Sequence, residues 1–320
     1  MKVGSKAKTW ILWILRLVGT VLFLTLILRA LDVRELIRQL QRLPIPMYLG
    51  LFLLYLFNQM LTAWRWQYLL AIVGIREPLR NLTVAVLYGQ TINKLLPSSI
   101  GGDSARIAYL FKVYPGQRTA ALSATLMDRM LAFLALFLLG FSVLPFSPAL
   151  DSTQRWAAGT MLLVLFGLLG LAFWGFLDTL ILGIIGWKRF PEKIRQRLFR
   201  FWEIFLVYRE RKLALLGALG ISLLRQGLMI LNLFFLFQLL GVRTTLAELF
   251  LVIPVVTILV ILPISIGGIG VREAALTTLL GVSSADVLSF TLIRYSFVVL
   301  LPVILLVDSL LFAPGRKTTA

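Results

Sequence analysis

Among its 320 residues the sequence has no cysteine and no histidine. Disulfides, thiol nucleophiles, imidazole bases and zinc sites built on Cys or His ligands are therefore excluded. Charge is scarce: 14% of positions carry it, against about 25% in a typical soluble domain. Acidic charge is scarcer still, fourteen Asp plus Glu against thirty-two Lys plus Arg, for a net charge of +18. What fills the chain is apolar, with 59% hydrophobic residues and a mean hydropathy of +0.93. Such a chain cannot cover a globule with polar surface, so its solvent is largely lipid. A soluble enzyme, a disordered tail and a secreted disulfide module are excluded. The basic excess reads as loops facing anionic headgroups on the cytoplasmic side, not as a nucleic-acid footprint.

A spanning helix needs about 20 mostly apolar residues. Six stretches qualify: Trp10–Leu31, Leu49–Val73, Thr119–Leu144, Trp156–Ile185, Leu213–Leu240 and Ala285–Phe312. The first follows Lys2, Lys6 and Lys8 but is too long, and too poor in a small-residue cleavage site, for a signal peptide. It reads as a retained helix. Two shorter apolar stretches, Leu82–Leu96 and Leu246–Leu262, each end at a Pro-Gly break and lead into short helical segments, Ser104–Val113 and Val271–Leu280. Such a break at membrane depth survives only where protein or trapped water satisfies the freed backbone. Each is expected to be a re-entrant hairpin. The fold predicted is an all-α polytopic membrane protein of six transmembrane helices plus two re-entrant helical hairpins. It forms one domain over 10–312, with halves at 10–144 and 156–312.

Loop charge orients it. Between Trp187 and Lys212 lie nine basic residues, from Lys188 to Lys212, against Glu192, Glu203 and Glu210. This linker, 187–212, is expected in the cytoplasm as an amphipathic surface helix. The loop Pro145–Arg155, with one Arg and one Asp, suits the outside. Both termini then fall inside. Asp32–Arg42, with three arginines, falls outside and is read as an interfacial helix.

The two breaks are copies of one motif. Leu96-Pro97-Ser98-Ser99-Ile100-Gly101-Gly102-Asp103-Ser104-Ala105-Arg106 recurs as Leu262-Pro263-Ile264-Ser265-Ile266-Gly267-Gly268-Ile269-Gly270-Val271-Arg272, seven of eleven positions identical at an offset of 166. Gly74-Ile75-Arg76 answers Gly241-Val242-Arg243, and Arg129 and Arg294 follow the two motif arginines by 23 and 22 residues. With the topology above the halves are inverted. Inverted repeats with discontinuous helices suit alternating access, with a site near the midplane.

The motif places backbone N–H donors and a positive helix end at membrane depth. Its glycines, Gly101, Gly102, Gly267 and Gly268, permit φ > 0 and close approach of a ligand. Asp103 is placed to cap the helix after the first break; Ile269 stands in its place in the second. An arginine at the bilayer centre costs about 2.5–3.5 kcal/mol, so Arg106, Arg129, Arg272 and Arg294 together demand compensation or use. Asp128 and Glu273 adjoin arginines in sequence, where helical neighbours point apart. Pairing across the repeats is expected instead. Within the core Arg106, Arg129, Arg225, Arg272 and Arg294 outnumber Asp103, Asp128 and Glu273. A cavity with surplus arginine suits phosphate or carboxylate. The alternative for each arginine is satisfaction by carbonyls or snorkelling. Arg65, in Ala63-Trp64-Arg65-Trp66, is assigned to an interfacial aromatic belt, and Asp178 and Asp308 to span ends.

These residues, Asn93 to Asp103, Arg106, Asp128-Arg129 and Pro263 to Glu273, resemble the flippase-like membrane family that includes the transmembrane region of lysylphosphatidylglycerol synthase/flippase proteins, the multiple peptide resistance factors. The resemblance covers residues 10–312. It implies a bacterial or archaeal cytoplasmic-membrane protein that moves a phospholipid between leaflets, with Arg106, Asp128, Arg129, Arg272 and Glu273 lining a headgroup cavity. Only Ala313–Ala320 follow the last span, so the aminoacyl-transfer activity of the bifunctional proteins is expected to be absent. Two other classes stay open: an integral-membrane transferase acting on polyprenyl-phosphate or phospholipid, and a small-anion transporter. The expected partners are membrane lipids with anionic or zwitterionic headgroups, and a homo-oligomer is compatible. No cofactor, no metal and no catalytic residue is expected.

Overall fold

The computed structural model describes residues 44–93, 101–144, 160, 192–261 and 270–311. Among them all regular structure is helical. The elements are α1 (Ile45–Ile72), α2 (Leu79–Asn93), α3 (Gly101–Val113), a 3-10 turn (Pro115–Gln117), α4 (Arg118–Val143), α5 (Glu192–Glu210), α6 (Lys212–Leu239), α7 (Leu246–Ile261), α8 (Val271–Leu280) and α9 (Ser284–Leu311). Four of these, α1, α4 with its preceding turn, α6 and α9, are long and apolar enough to cross a membrane. They coincide with four of the six predicted spans. The other two, Trp10–Leu31 and Trp156–Ile185, lie outside the described residues but for position 160, as do Asp32–Arg42 and the loop Pro145–Arg155. The shorter predicted segments appear as α2, α3, α7 and α8, with α2 packed on α3 and α7 on α8. The basic linker contains α5.

The sequence repeat is a repeat of elements. An offset of 167 carries α1 onto α6 and the start of α2 onto the start of α7; 166 carries the start of α4 onto the start of α9. The turns after α1 and α6 match in detail. Gly74 (φ 82) and Gly241 (φ 74) take the left-handed conformation that a side chain resists. Each donates its N–H three residues back, to Ala71 and Gln238, while Ile75 and Val242 reach five back, to Leu70 and Phe237. This Schellman pair stops both helices at the same register. The next residues, Ile75 and Val242, seal the turns into the apolar interior.

Equivalent spans run in opposite directions. Arg65 Nη1 donates to Ser222 Oγ, Asn58 Nδ2 to the Arg225 carbonyl, and Asn232 Nδ2 to the Leu51 carbonyl, so α6 climbs as α1 descends. Two apolar cores form, each drawn mostly from one half. One gathers Trp66, Leu69, Leu70, Leu82, Leu110 and Ala124; the other gathers Leu136, Ile230, Phe237, Leu249, Phe290 and Phe297. In lipid, burying Leu against Leu gains little transfer free energy, so close packing and polar contacts between helices carry the specificity. The region between the two cores is polar.

Candidate functional site

A cavity of about 200 Å³ opens between the halves. From the first half α1 contributes Tyr55, Asn58 and Gln59, and α2 contributes Gln90 and Asn93. From the second half come Arg225 and Asn232 on α6, Arg272 in the first turn of α8 and Arg294 on α9. Asn58 and Arg225 stand at the middle of their 28-residue helices, about 20 Å along the axis from either end. They are also repeat mates, 167 residues apart, and hydrogen-bond to each other: Asn58 Nδ2 to the Arg225 carbonyl at 2.7 Å, Arg225 Nη1 to Asn58 Oδ1 at 3.4 Å. The pseudo-symmetry axis passes through the cavity wall here.

The wall is cationic. Among the described residues no carboxylate pairs with Arg225, Arg272 or Arg294. Arg294 lies 5.6 Å from the Phe290 ring centroid. Arg225 Nε and Gln59 Oε1 are buried with no hydrogen-bond partner among the described residues. Buried polar atoms are almost always satisfied, so such orphans in a cavity wall mark where a ligand or water belongs. Glu273, beside Arg272, is already committed: Oε2 accepts the Gly270 N–H at 2.6 Å and Oε1 the Thr291 hydroxyl at 2.7 Å. It fixes the start of α8, and so Arg272, onto α9.

The first half contains the neutralised version of the same arrangement. Asp128, 2% exposed on α4, accepts Arg65 Nε at 2.6 Å and Arg106 Nη2 at 3.2 Å. Arg106 also lies 4.1 Å over the Trp66 ring and 3.4 Å from Asp103, whose other oxygen takes Arg129 Nε at 2.8 Å. Through the repeat, Arg65 corresponds to Asn232, Arg106 to Arg272 and Asp128 to Arg294. Where one half places a carboxylate between two guanidiniums, the other places a guanidinium, Arg294, between Arg272 and the uncharged Asn232. One cluster is closed by the chain itself; the other is left short of an anion.

Comparison with known proteins fits this architecture. The profile of the family described as the lysylphosphatidylglycerol synthase TM region matches residues 13–305. The chain belongs to this family. It is also similar to a UPF0104 membrane protein of Pyrococcus horikoshii, 26% identical over 307 residues that cover 88% of this chain and 91% of the relative. A UPF0104 membrane protein of Methanocaldococcus jannaschii is 31% identical over 98 residues, 29% of each chain. No solved structure matches significantly. Membership makes the chain a membrane protein of a family named for lipid synthesis, as the apolar helices require.

The predicted site residues of this family member divide in two. Arg272 and Arg294 line the cavity. Asp103, Arg106, Asp128 and Arg129 form the ion-pair cluster and are not among the lining residues. Glu273 serves as a helix cap and tether. Several expectations are corrected. Asp128 pairs with arginines of its own half, and Glu273 with its own half, because the α1–α4, α3–α4 and α8–α9 contacts bring those partners nearer than the opposite repeat. Helix register aligns Asp128, not Arg129, with Arg294. Gly101 and Gly102 are helical, outside the positive-φ set. Gly102 N–H donates to Asn93 Oδ1, and a Cβ there would lie 2.5 Å from the Gly89 carbonyl oxygen; here the glycine permits α2 and α3 to cross. Gly267 and Gly268 lie outside the described residues. Asp103 stands in the first turn of α3 and pairs with Arg106 and Arg129.

Two features escaped the sequence reading. Arg65 is 2% exposed and bound to Asp128, not in an interfacial belt. Its repeat mate Asn232, a polar residue in an apolar run, was the available signal. The second is Glu77, 6% exposed, which accepts Tyr109 Oη at 2.5 Å, Tyr114 Oη at 2.8 Å and Asn81 Nδ2 at 2.7 Å. It ties both limbs of the α2–α3 pair to the turn after α1. Burial, with Glu77 beside it, pushes the Tyr114 phenol up to about 12, and the Tyr109 phenol rises for the same reasons.

Proposed function

We propose that the protein is a transbilayer lipid translocase that moves a phospholipid between leaflets of a bacterial or archaeal cytoplasmic membrane. The observation that carries this reading is the half-buried arginine set Arg225, Arg272 and Arg294, gathered beside mid-helix Asn58 in a cavity shared by both repeats and without a carboxylate among its described lining. Three guanidiniums at the bilayer centre cost roughly 8–10 kcal/mol on insertion scales. An anion shared between them offsets that cost, and the planar fork of arginine suits the paired oxygens of a phosphodiester. The volume is below the 300–1,000 Å³ of pockets that engulf a drug-sized ligand, so it admits a headgroup while the acyl chains stay in lipid. The helix pairs α2–α3 and α7–α8 act as re-entrant hairpins, and exchange between their opposed arrangements gives alternating access. The termini and α5 face the cytoplasm on the charge bias of the loops.

The test is leaflet exchange of fluorescent phospholipids in proteoliposomes. Wild-type protein should accelerate exchange of an anionic or zwitterionic lipid, and Arg272→Gln and Arg294→Gln should each reduce it at least tenfold. Wild-type exchange in both variants would remove the site. Absence of exchange for every lipid would remove the function.

A further inference from the structure

The repeat has two equivalent seams where a helix pair meets a span, and they differ. In one, α7 lies against α4 at Gly140, where an added Cβ would be 2.8 Å from the Phe250 carbonyl oxygen and 2.9 Å from Pro254. That seam is sealed by the missing side chain. Its counterpart joins α2 to α9, with Leu306 in place of Gly140, Thr83 in place of Phe250 and Leu87 in place of Pro254. Leucine cannot admit a backbone that closely, and this seam carries an apolar groove of about 530 Å³.

The groove and the cavity share no lining residue but occupy neighbouring positions on the same helices. On α1 Tyr55 lines the cavity and Leu56 the groove; on α2 Gln90 lines the cavity and Leu87, Val84 and Thr83 the groove; on α9 Val298 gives way to Leu305. Leu87, Leu301 and Leu305 pack into a small buried cluster between the two. From Leu87 to Leu79 the groove runs about 12 Å along α2, close to the depth of one leaflet, about 15 Å. Its far end is crossed by an ion pair between the halves, Arg80 Nη2 to Asp308 Oδ1 at 2.9 Å, with the arginine side chain half exposed. Solvent-exposed ion pairs are weak, so this one yields easily to a competing anion.

Building on the translocase reading, we propose that the α2–α9 seam is a lateral portal: its groove holds an acyl chain of the lipid whose headgroup occupies the arginine cavity, and the Arg80–Asp308 pair is the latch across its mouth. An anionic headgroup arriving from that leaflet takes Arg80 from Asp308, passes inward to Arg272 and Arg294, and leaves its chain along α2. The apolar lining and the one-leaflet length select a chain of a membrane lipid over a free phosphate.

Two arms test this. In proteoliposomes, Thr83→Trp fills the groove and should lower phospholipid exchange at least tenfold, whereas Leu54→Trp, in a groove of like size between α1 and α6, should leave it at the wild-type rate. Asp308→Ala, which frees Arg80, should raise the rate, and the exchanged pair Arg80→Asp with Asp308→Arg should return it to the wild-type value. In the second arm a phospholipid with a photoreactive acyl chain is irradiated in phosphatidylcholine vesicles with the wild-type protein. Saturable labelling is expected on Val84 and Ile304, competed by unlabelled phosphatidylglycerol and lost in Arg272→Gln. Labelling of these residues that is neither saturable nor competed, or full exchange by Thr83→Trp, overturns the portal. Saturable labelling without exchange by the wild type overturns the translocase and leaves the groove standing.

Discussion

Replacing Asp128 by Asn removes the negative charge shared by Arg65 and Arg106 while keeping the side chain's shape. Both contacts are enclosed, with side-chain exposures of 2–8% across the three groups. A hydrogen bond to a charged partner contributes about 1.5–3 kcal/mol net, so two contacts set a scale of about 3–6 kcal/mol. Breaking a buried pair by removing one partner costs about 3–5 kcal/mol. Two effects reduce the loss. Arg65 keeps Ser222 at 2.9 Å, and Arg106 keeps Asp103 at 3.4 Å. One effect increases it: in the unfolded membrane state Arg65, about 10 Å from the end of α1, can reach the interface, so the native state alone must hold two guanidiniums that have lost their shared carboxylate. We expect a loss of about 3–4 kcal/mol, measured as the shift in reversible SDS-induced unfolding in mixed micelles. Because the pair is buried, added salt should change the shift little. Arg65→Lys should cost less, about 1–2 kcal/mol, since one ammonium cannot bond Asp128 and Ser222 in the same fork geometry. A loss below about 1 kcal/mol for Asp128→Asn, the range of ordinary interhelical hydrogen bonds in membranes, would refute the claim that this carboxylate neutralises the first half.

Two further outcomes follow from local geometry. Gly102→Ala places a methyl against the Gly89 carbonyl and Asn93, so α2 and α3 must separate; we expect a loss of about 1–3 kcal/mol and faster proteolysis within this pair, and an unaltered digest would contradict it. With its native phenol raised to about 12 from 10, Tyr114 favours the folded state fully below pH 10 and loses that contribution as pH rises toward 12, because the unfolded chain ionises first. The thermal midpoint should fall over that window, and less steeply in Tyr114→Phe; identical slopes would show that Glu77 does not hold this phenol.

Much of the architecture was legible because it rests on local rules. Apolar runs, Gly turns and Pro-Gly breaks placed α1, α4, α6 and α9 within a few residues of their observed ends. The repeat of the Pro-x-Ser-Ile-Gly-Gly motif pointed to the helix pairs α2–α3 and α7–α8 as equivalents. Arg272 and Arg294 were legible as cavity residues because burying arginine in hydrocarbon demands a reason. Arg106 and Asp128 obeyed the same logic but found each other, and nothing in their spacing, 22 residues apart on different helices, distinguishes a pair from a ligand site. Arg65 was hidden by its tryptophan neighbours, which imitate an interface.

Composition and periodicity alone determined that this chain lives in lipid, how its backbone satisfies itself there, and that it is built twice over. Those are properties of each segment against its solvent, and they need no knowledge of neighbours. Which arginines are neutralised, which face an open cavity, and which of two equivalent seams is sealed depended on side chains brought together from distant segments. Coulomb energies in a low-dielectric interior are set by separations of a few ångströms, and only the packed helices fix those.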